Sequence, residues 1–147
     1  MCRKHRGEIV SPGGVVYEDE LVYSSHIALP DEQPSIYLGT LFVEPRRHVP
    51  GIGDLTRAEA ERVGWLTSRL AAALQATERA EHVYVFVLGH HVPHLHVWVA
   101  PRYPGTPARY QPWQVAEWPD APRGGAAEIA ALCDRVRAEL RRAQPTA

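Results

Sequence analysis

The sequence predicts an α+β domain, with a mostly antiparallel sheet and helices on one face. Three observations predict it. A hairpin pattern opens the chain, an apolar strand pair occupies residues 83–100, and two segments repeat apolar residues at helical spacing. The 147 residues amount to about one domain. A chain of this size buries roughly two-thirds of its unfolded surface, enough for a core without staples.

Val15–Tyr17 and Leu21–Tyr23 flank the acidic turn Glu18-Asp19-Glu20 and read as a hairpin, with Ser11-Pro12-Gly13-Gly14 as the turn before it. Residues 30–34 are a loop. Ile36 to Val43 is β-branched and aromatic enough for one buried strand, ended by Pro45. Residues 54 to about 76 read as a helix. Thr56 and Glu59 form a capping-box pattern, and Val63, Leu66, Leu70 and Leu74 give one buried stripe. Val83 to Leu88 reads as a strand central in its sheet, broken by Gly89. A second strand runs from His94 to Ala100 and is stopped by Pro101. Residues 101–123 hold six prolines with Trp113 and Trp118, an irregular segment whose two indole rings call for burial. A last helix spans 126–141, with Ile129, Leu132, Val136 and Leu140 on one face.

Composition excludes several classes. Sixteen basic and 17 acidic residues leave a net charge of −1, which argues against extended nucleic-acid binding. No apolar run approaches the ~18 residues of a membrane span, and the polar N-terminus lacks a signal-peptide core. Two cysteines, Cys2 and Cys133, are too few for a disulfide scaffold, so a reduced cytoplasm is the expected compartment.

The chemistry lies in Gly89-His90-His91-Val92-Pro93-His94-Leu95-His96-Val97-Trp98-Val99. Alternate strand residues share a face. His94, His96 and Trp98 therefore point one way, and Leu95, Val97 and Val99 face the core. Imidazole titrates near neutrality and serves as nucleophile, acid/base or metal ligand.

This segment resembles the signature of the histidine triad (HIT) superfamily, in which a strand carries His-x-His-x-His. Val16–Glu20 is similar to the family's early hairpin. Leu41–Val49 resembles its strand ending in Pro and a basic pair before His, and Asp54-Leu55-Thr56 the entry to its main helix. The resemblance covers about residues 2–103, so 1–103 is expected to be the HIT-like domain. Residues 104–147 would then be a C-terminal Pro/Trp-rich segment and helix packed on the same domain.

The resemblance implies a five-stranded sheet with a long helix and a C-terminal helix. It also implies a nucleotide hydrolase, phosphoramidase or nucleotidyltransferase working through a covalent His-phosphoramidate. By position the nucleophile is His96, with His94 and His91 as catalytic partners. Gly89, His90, His91, Val92 and Trp98 would bind phosphate or nucleotide. His91 is equally readable as a surface-loop histidine. A non-catalytic, zinc-stabilised nucleotide- or phosphate-binding module is the alternative.

Three departures bear on activity. The third triad histidine is Trp98, which implies altered substrate, weak activity or none. Thr40 stands where the family often has His. Ser24-Ser25-His26-Ile27 lacks the carboxylate the family often uses for ribose hydroxyls.

Many HIT proteins bind zinc through an N-terminal Cys-x-x-Cys, the histidine after the basic pair and the first triad histidine. The corresponding residues are Cys2, His5, His48 and His94, with His5 in place of the second Cys. Thiolate and imidazole are the donors a structural zinc prefers. The resemblance further implies a homodimer, for which Trp65 is a candidate interface residue, core packing being the alternative. The substrate would be a small-molecule nucleotide or phosphate ester. Arg46-Arg47 reads either as steering for an anionic substrate or as a solvated pair.

Overall fold

The computed structural model describes residues 2–89 and 92–143, the first two of these as backbone only. A short helix α1 (Cys2–His5) precedes strands β1 (Val15–Glu18), β2 (Val22–His26), β3 (Ile36–Tyr37) and β4 (Leu41–Pro45). The long helix α2 (Arg57–Glu78) follows. Next come β5 (His82–Val87), β6 (Val97–Arg102), β7 (Arg123–Gly124) and α3 (Ala126–Arg142). The main sheet is antiparallel in the order β1-β2-β4-β6-β5, and β3 pairs with β7 in a small second sheet.

The hairpin turn is made by Asp19, whose carboxylate accepts the Leu21 and Val22 N–H groups at 2.8 and 3.0 Å. Helix α2 starts at the expected capping box. Thr56 Oγ1 accepts the Glu59 N–H, and the Glu59 carboxylate accepts the Thr56 N–H at 2.8 Å. Arg47 adds a two-toothed bond to Glu59 at 2.8 and 2.7 Å, and Arg46 bonds Glu18 and the Asp19 carbonyl. The basic pair therefore braces the hairpin and the helix start.

The core lies between the sheet and the two long helices. Leu41, Val43, Val97 and Val99 meet Val63, Leu66, Leu70 and Leu74 of α2, and Ile129, Leu132, Val136 and Leu140 of α3. Burying each such side chain stabilises by about 1.5–3 kcal/mol. Cys133 sits in the same core as a free thiol.

Four expectations are corrected. The run 36–43 is two short strands in different sheets, because Gly39 between them takes φ +85°. A Cβ there would lie 2.8 Å from Pro101 Cγ, so a side chain is excluded twice over. The 83–88 strand is at the edge of the sheet, with Val85 50% exposed; its apolar character did not come from burial on both sides.

Strand β6 begins at Val97, after both histidines, and runs through Pro101 to Arg102. The Arg102 carbonyl points to β5, where it accepts the Glu81 N–H. Pro101 therefore faces the β4 side, where the ladder has already ended at Val99, and its missing N–H costs no ladder bond. The Pro101 carbonyl accepts the Tyr37 hydroxyl at 2.6 Å. Finally, Trp113 is 61% exposed on a 3₁₀ turn; only Trp118 packs, against the Tyr37, Tyr103, Val115 and Ala121 cluster. Trp65 is also outside the core, under the Arg62 guanidinium at 4.2 Å and beside the Tyr17 ring.

Candidate functional site

Strand alternation leaves a second sheet face, opposite the helices. Leu41, Val43, Val97 and Val99 face the core, so Phe42, Glu44 and Trp98 face away from it. Phe42 and Trp98 are cross-strand partners. Their rings meet edge to face at 4.6 Å, and Phe86 stacks on Trp98 at 5.7 Å. Trp98, the residue at the position expected for a third triad histidine, thus lies inside an aromatic group. Its Nε1–H is buried and has no hydrogen-bond partner among the described residues.

His94 and His96 lie on the segment entering β6, both buried. His94 Nε2–H donates to the Pro45 carbonyl at 2.9 Å, which leaves the ring's lone pair on Nδ1. Burial holds its pKa below the ordinary histidine value, the Pro45 bond and the Glu44 charge notwithstanding. His96 Nδ1–H donates to the His94 carbonyl at 2.8 Å, which fixes the tautomer and leaves the lone pair on Nε2. The His96 ring packs 5.1 Å from Phe42 and 6.1 Å from Trp98. Gly89 is exposed at the end of β5, Val92 is half-buried, and His90 and His91 lie outside the described residues.

The structure gathers three of the four expected metal ligands. The His94 ring is 5.2 Å from both the His5 and the His48 rings, each edge to face. The side chain of Cys2 is outside the described residues. Among the described residues no three His, Cys, Asp or Glu are arranged to hold a metal ion. One observation favours a metal nevertheless. His5 Nδ1 is buried and has no hydrogen-bond partner among the described residues, on a ring that lies beside the His94 imidazole. The donor types suit zinc.

A charged cluster that the sequence reading did not single out adjoins these rings. Glu44 is wholly buried on the outer face of β4. Lys4 Nζ donates to one of its oxygens and to Ser25 Oγ, and lies over the Tyr23 and Phe42 rings. His5 Nε2–H donates to the other oxygen at 2.7 Å. Burial works to raise the Glu44 pKa, but the His5 bond and the Lys4 charge outweigh it and hold the carboxyl below its usual range. The signal in the sequence was an acidic residue between Val43 and Pro45 in an otherwise apolar strand. Ser25 and His26, in the stretch expected to meet ribose, are fully buried.

The HIT domain model matches residues 8–105. Among solved structures, the fold is similar to a Hit-like protein involved in cell-cycle regulation from Bartonella henselae, at 20% identity and TM-score 0.69, covering 93% of this chain and 92% of that one. It is similar to a zinc-bound histidine triad family protein from Mycobacterium smegmatis, at 18% identity and TM-score 0.67, covering 96% and 91%. A hypothetical histidine triad nucleotide-binding protein from Sulfolobus tokodaii gives 18% identity and TM-score 0.69, again covering 96% and 91%. No curated protein is a significant match. Identities this low speak to fold alone, but a family model spanning two thirds of the sequence shows membership: the chain belongs to the HIT domain family, which includes nucleotide hydrolases and transferases.

Proposed function

We propose that this protein is a HIT-type nucleotide hydrolase, phosphoramidase or nucleotidyltransferase with His96 as its nucleophile. The observation that carries the reading is the bond from His96 Nδ1–H to the His94 carbonyl, which leaves the Nε2 lone pair for attack. His96 Nε2 bonds to the α-phosphorus while the bond from phosphorus to the leaving group breaks, its electron pair going to the leaving group. His91 is the candidate donor of the proton that group needs. Water then attacks phosphorus and gives its proton to the now neutral His91, while the P–N bond breaks and its electron pair returns to Nε2. Backbone N–H groups around Gly89, His90, His91 and Val92 would cradle the phosphate, with Trp98 flooring the site.

In this reading residues 1–103 carry the site, 104–147 are the segment packed on it, and the protein works in the cytoplasm as a homodimer. Exposed Val85, Val87 and Leu88 along the β5 edge support the dimer. So does the apolar cavity of about 360 Å³ between β5 and α2, lined by Ile52, Leu55, Val63 and Val85 among others. Zinc held by Cys2, His5, His48 and His94 would tie the N-terminus to the strand that carries the nucleophile. The unsatisfied His5 Nδ1 supports it.

A brief incubation with a panel of dinucleoside polyphosphates and nucleoside phosphoramidates, read by intact-mass spectrometry, tests the mechanism. An acid-labile nucleotidyl adduct is expected, and His96→Ala should abolish adduct and turnover while keeping its fold. Undiminished turnover in a folded His96→Ala variant would refute it. One zinc per chain is expected by elemental analysis of untagged protein. A stoichiometry near zero, with no change of Tm on adding chelator, would exclude zinc.

A second reading is favoured by Trp98, which packs against Phe42 and Phe86 where a third imidazole would act. It is a zinc-stabilised nucleotide- or phosphate-binding module without catalysis. Saturable nucleotide binding with no adduct would select it.

A further inference from the structure

We propose that Glu44 is the positioning residue of the metal centre, holding His5 in the one tautomer that can ligate through Nδ1. The inference rests on the zinc reading above, and it starts from the chemistry of one residue in it. The N-terminal turn offers an imidazole, His5, as a ligand. A thiolate needs no orienting partner, since its sulfur is a donor in any rotamer. An imidazole has two nitrogens, and only the unprotonated one can ligate, so the proton must be fixed on the other. A neighbouring carboxylate does this, and it also raises the basicity of the ligating nitrogen.

The geometry supplies each part. A carboxylate only accepts hydrogen bonds, so the 2.7 Å contact between His5 Nε2 and Glu44 Oε2 puts the proton on Nε2. In the neutral ring, the form that can ligate, the lone pair is then on Nδ1. That atom is buried and without a hydrogen-bond partner among the described residues, and the ring lies 5.2 Å from the His94 ring. His94 is arranged alike, its Nε2–H given to Pro45 O. Both rings thus turn Nε2 to an oxygen acceptor and keep Nδ1 as the donor atom. The Glu44 carboxylate is itself fixed. Its other oxygen takes the Lys4 ammonium, which Ser25 Oγ also holds, and the Glu44 side chain is itself wholly buried. Lys4 and His5 are consecutive residues on α1, so one carboxylate pins two successive side chains of the N-terminal turn to β4.

The first test needs no variant. Long-range proton–nitrogen correlation on the zinc-loaded full chain should show His5 with Nε2 protonated and Nδ1 metal-bound. A zinc bond through Nε2 would overturn the proposal. The second test is zinc affinity by competition with a chromophoric chelator. Lys4→Met combined with Glu44→Leu replaces the buried ion pair by apolar groups of similar size, a change that folds tolerate. This double variant should bind zinc about 10–100-fold more weakly than the parent. In a His5→Cys background, the same pair of changes should leave affinity unaltered. Equal affinity of the double variant and the parent would overturn the proposal while leaving the zinc reading intact. An equal loss in the His5→Cys background would overturn it as well, by making Glu44 merely structural. A parent chain that takes up no zinc would overturn the zinc reading and this proposal together.

Discussion

His26 carries no functional pattern in the sequence, yet it is among the most tightly held side chains. Fully buried, it donates from Nδ1 to the Ile27 carbonyl at 2.9 Å and accepts the Gly39 N–H on Nε2 at 3.0 Å. It thereby satisfies the backbone at the left-handed glycine that separates β3 from β4. Burial lowers its pKa below 6.5, the Ile27 bond only partly opposing this. The unfolded chain then takes up a proton before the folded one does, so the stability His26 contributes is complete above pH 6.5 and declines as pH falls below it. The parent protein should therefore lose more Tm between pH ~7 and ~5 than His26→Gln does. Parallel melting curves across that range would contradict it. His26→Ala should also cost at least the ~1–3 kcal/mol of an unsatisfied Gly39 N–H, read by denaturant unfolding.

At the scale of elements, helix α2 is the most predictable part of the molecule. Its stripe and its cap are both written locally, within 3.6-residue spacing and a four-residue box. Thr56→Ala should destabilise by about 1 kcal/mol in denaturant unfolding, because it removes the oxygen that accepts the Glu59 N–H. No change would mean that Arg47 alone suffices to hold Glu59. The strands were less legible. An apolar run such as 83–88 satisfies a central strand or an edge strand equally well, and only pairing decides between them. The break at Gly39 was also invisible, since its left-handed conformation answers to Pro101 and Tyr103, far along the chain. The site divides the same way. His94 and His96 stand out in the sequence by their two-residue spacing, although both precede β6. Lys4, His5 and Glu44 meet across 39 and 40 residues of sequence, and no local spacing encodes such a meeting.

At the scale of the whole molecule, the sheet has one feature that sits poorly with an isolated chain. Strand β5 closes one end of it with Val85 and Val87 at 50% and 40% exposure, and Leu88 just beyond. Edge strands that face water usually carry charge or are covered. Light scattering at micromolar concentration should give the mass of a dimer. Val87→Lys, which puts an ammonium on this edge, should shift it to the monomer. A monomeric parent would exclude the dimer, and a dimeric Val87→Lys variant would move the interface elsewhere on the surface.

Trp98 also supplies a chromophore beside His96. Its indole is held rigidly against Phe42 and Phe86, with its ring centre 6.1 Å from that of His96. Imidazolium quenches indole emission at such range and neutral imidazole far less. With Trp65, Trp113 and Trp118 changed to Phe, the remaining indole emission comes from beside His96 alone, so under the proposed mechanism nucleotidylation of that ring would be read optically.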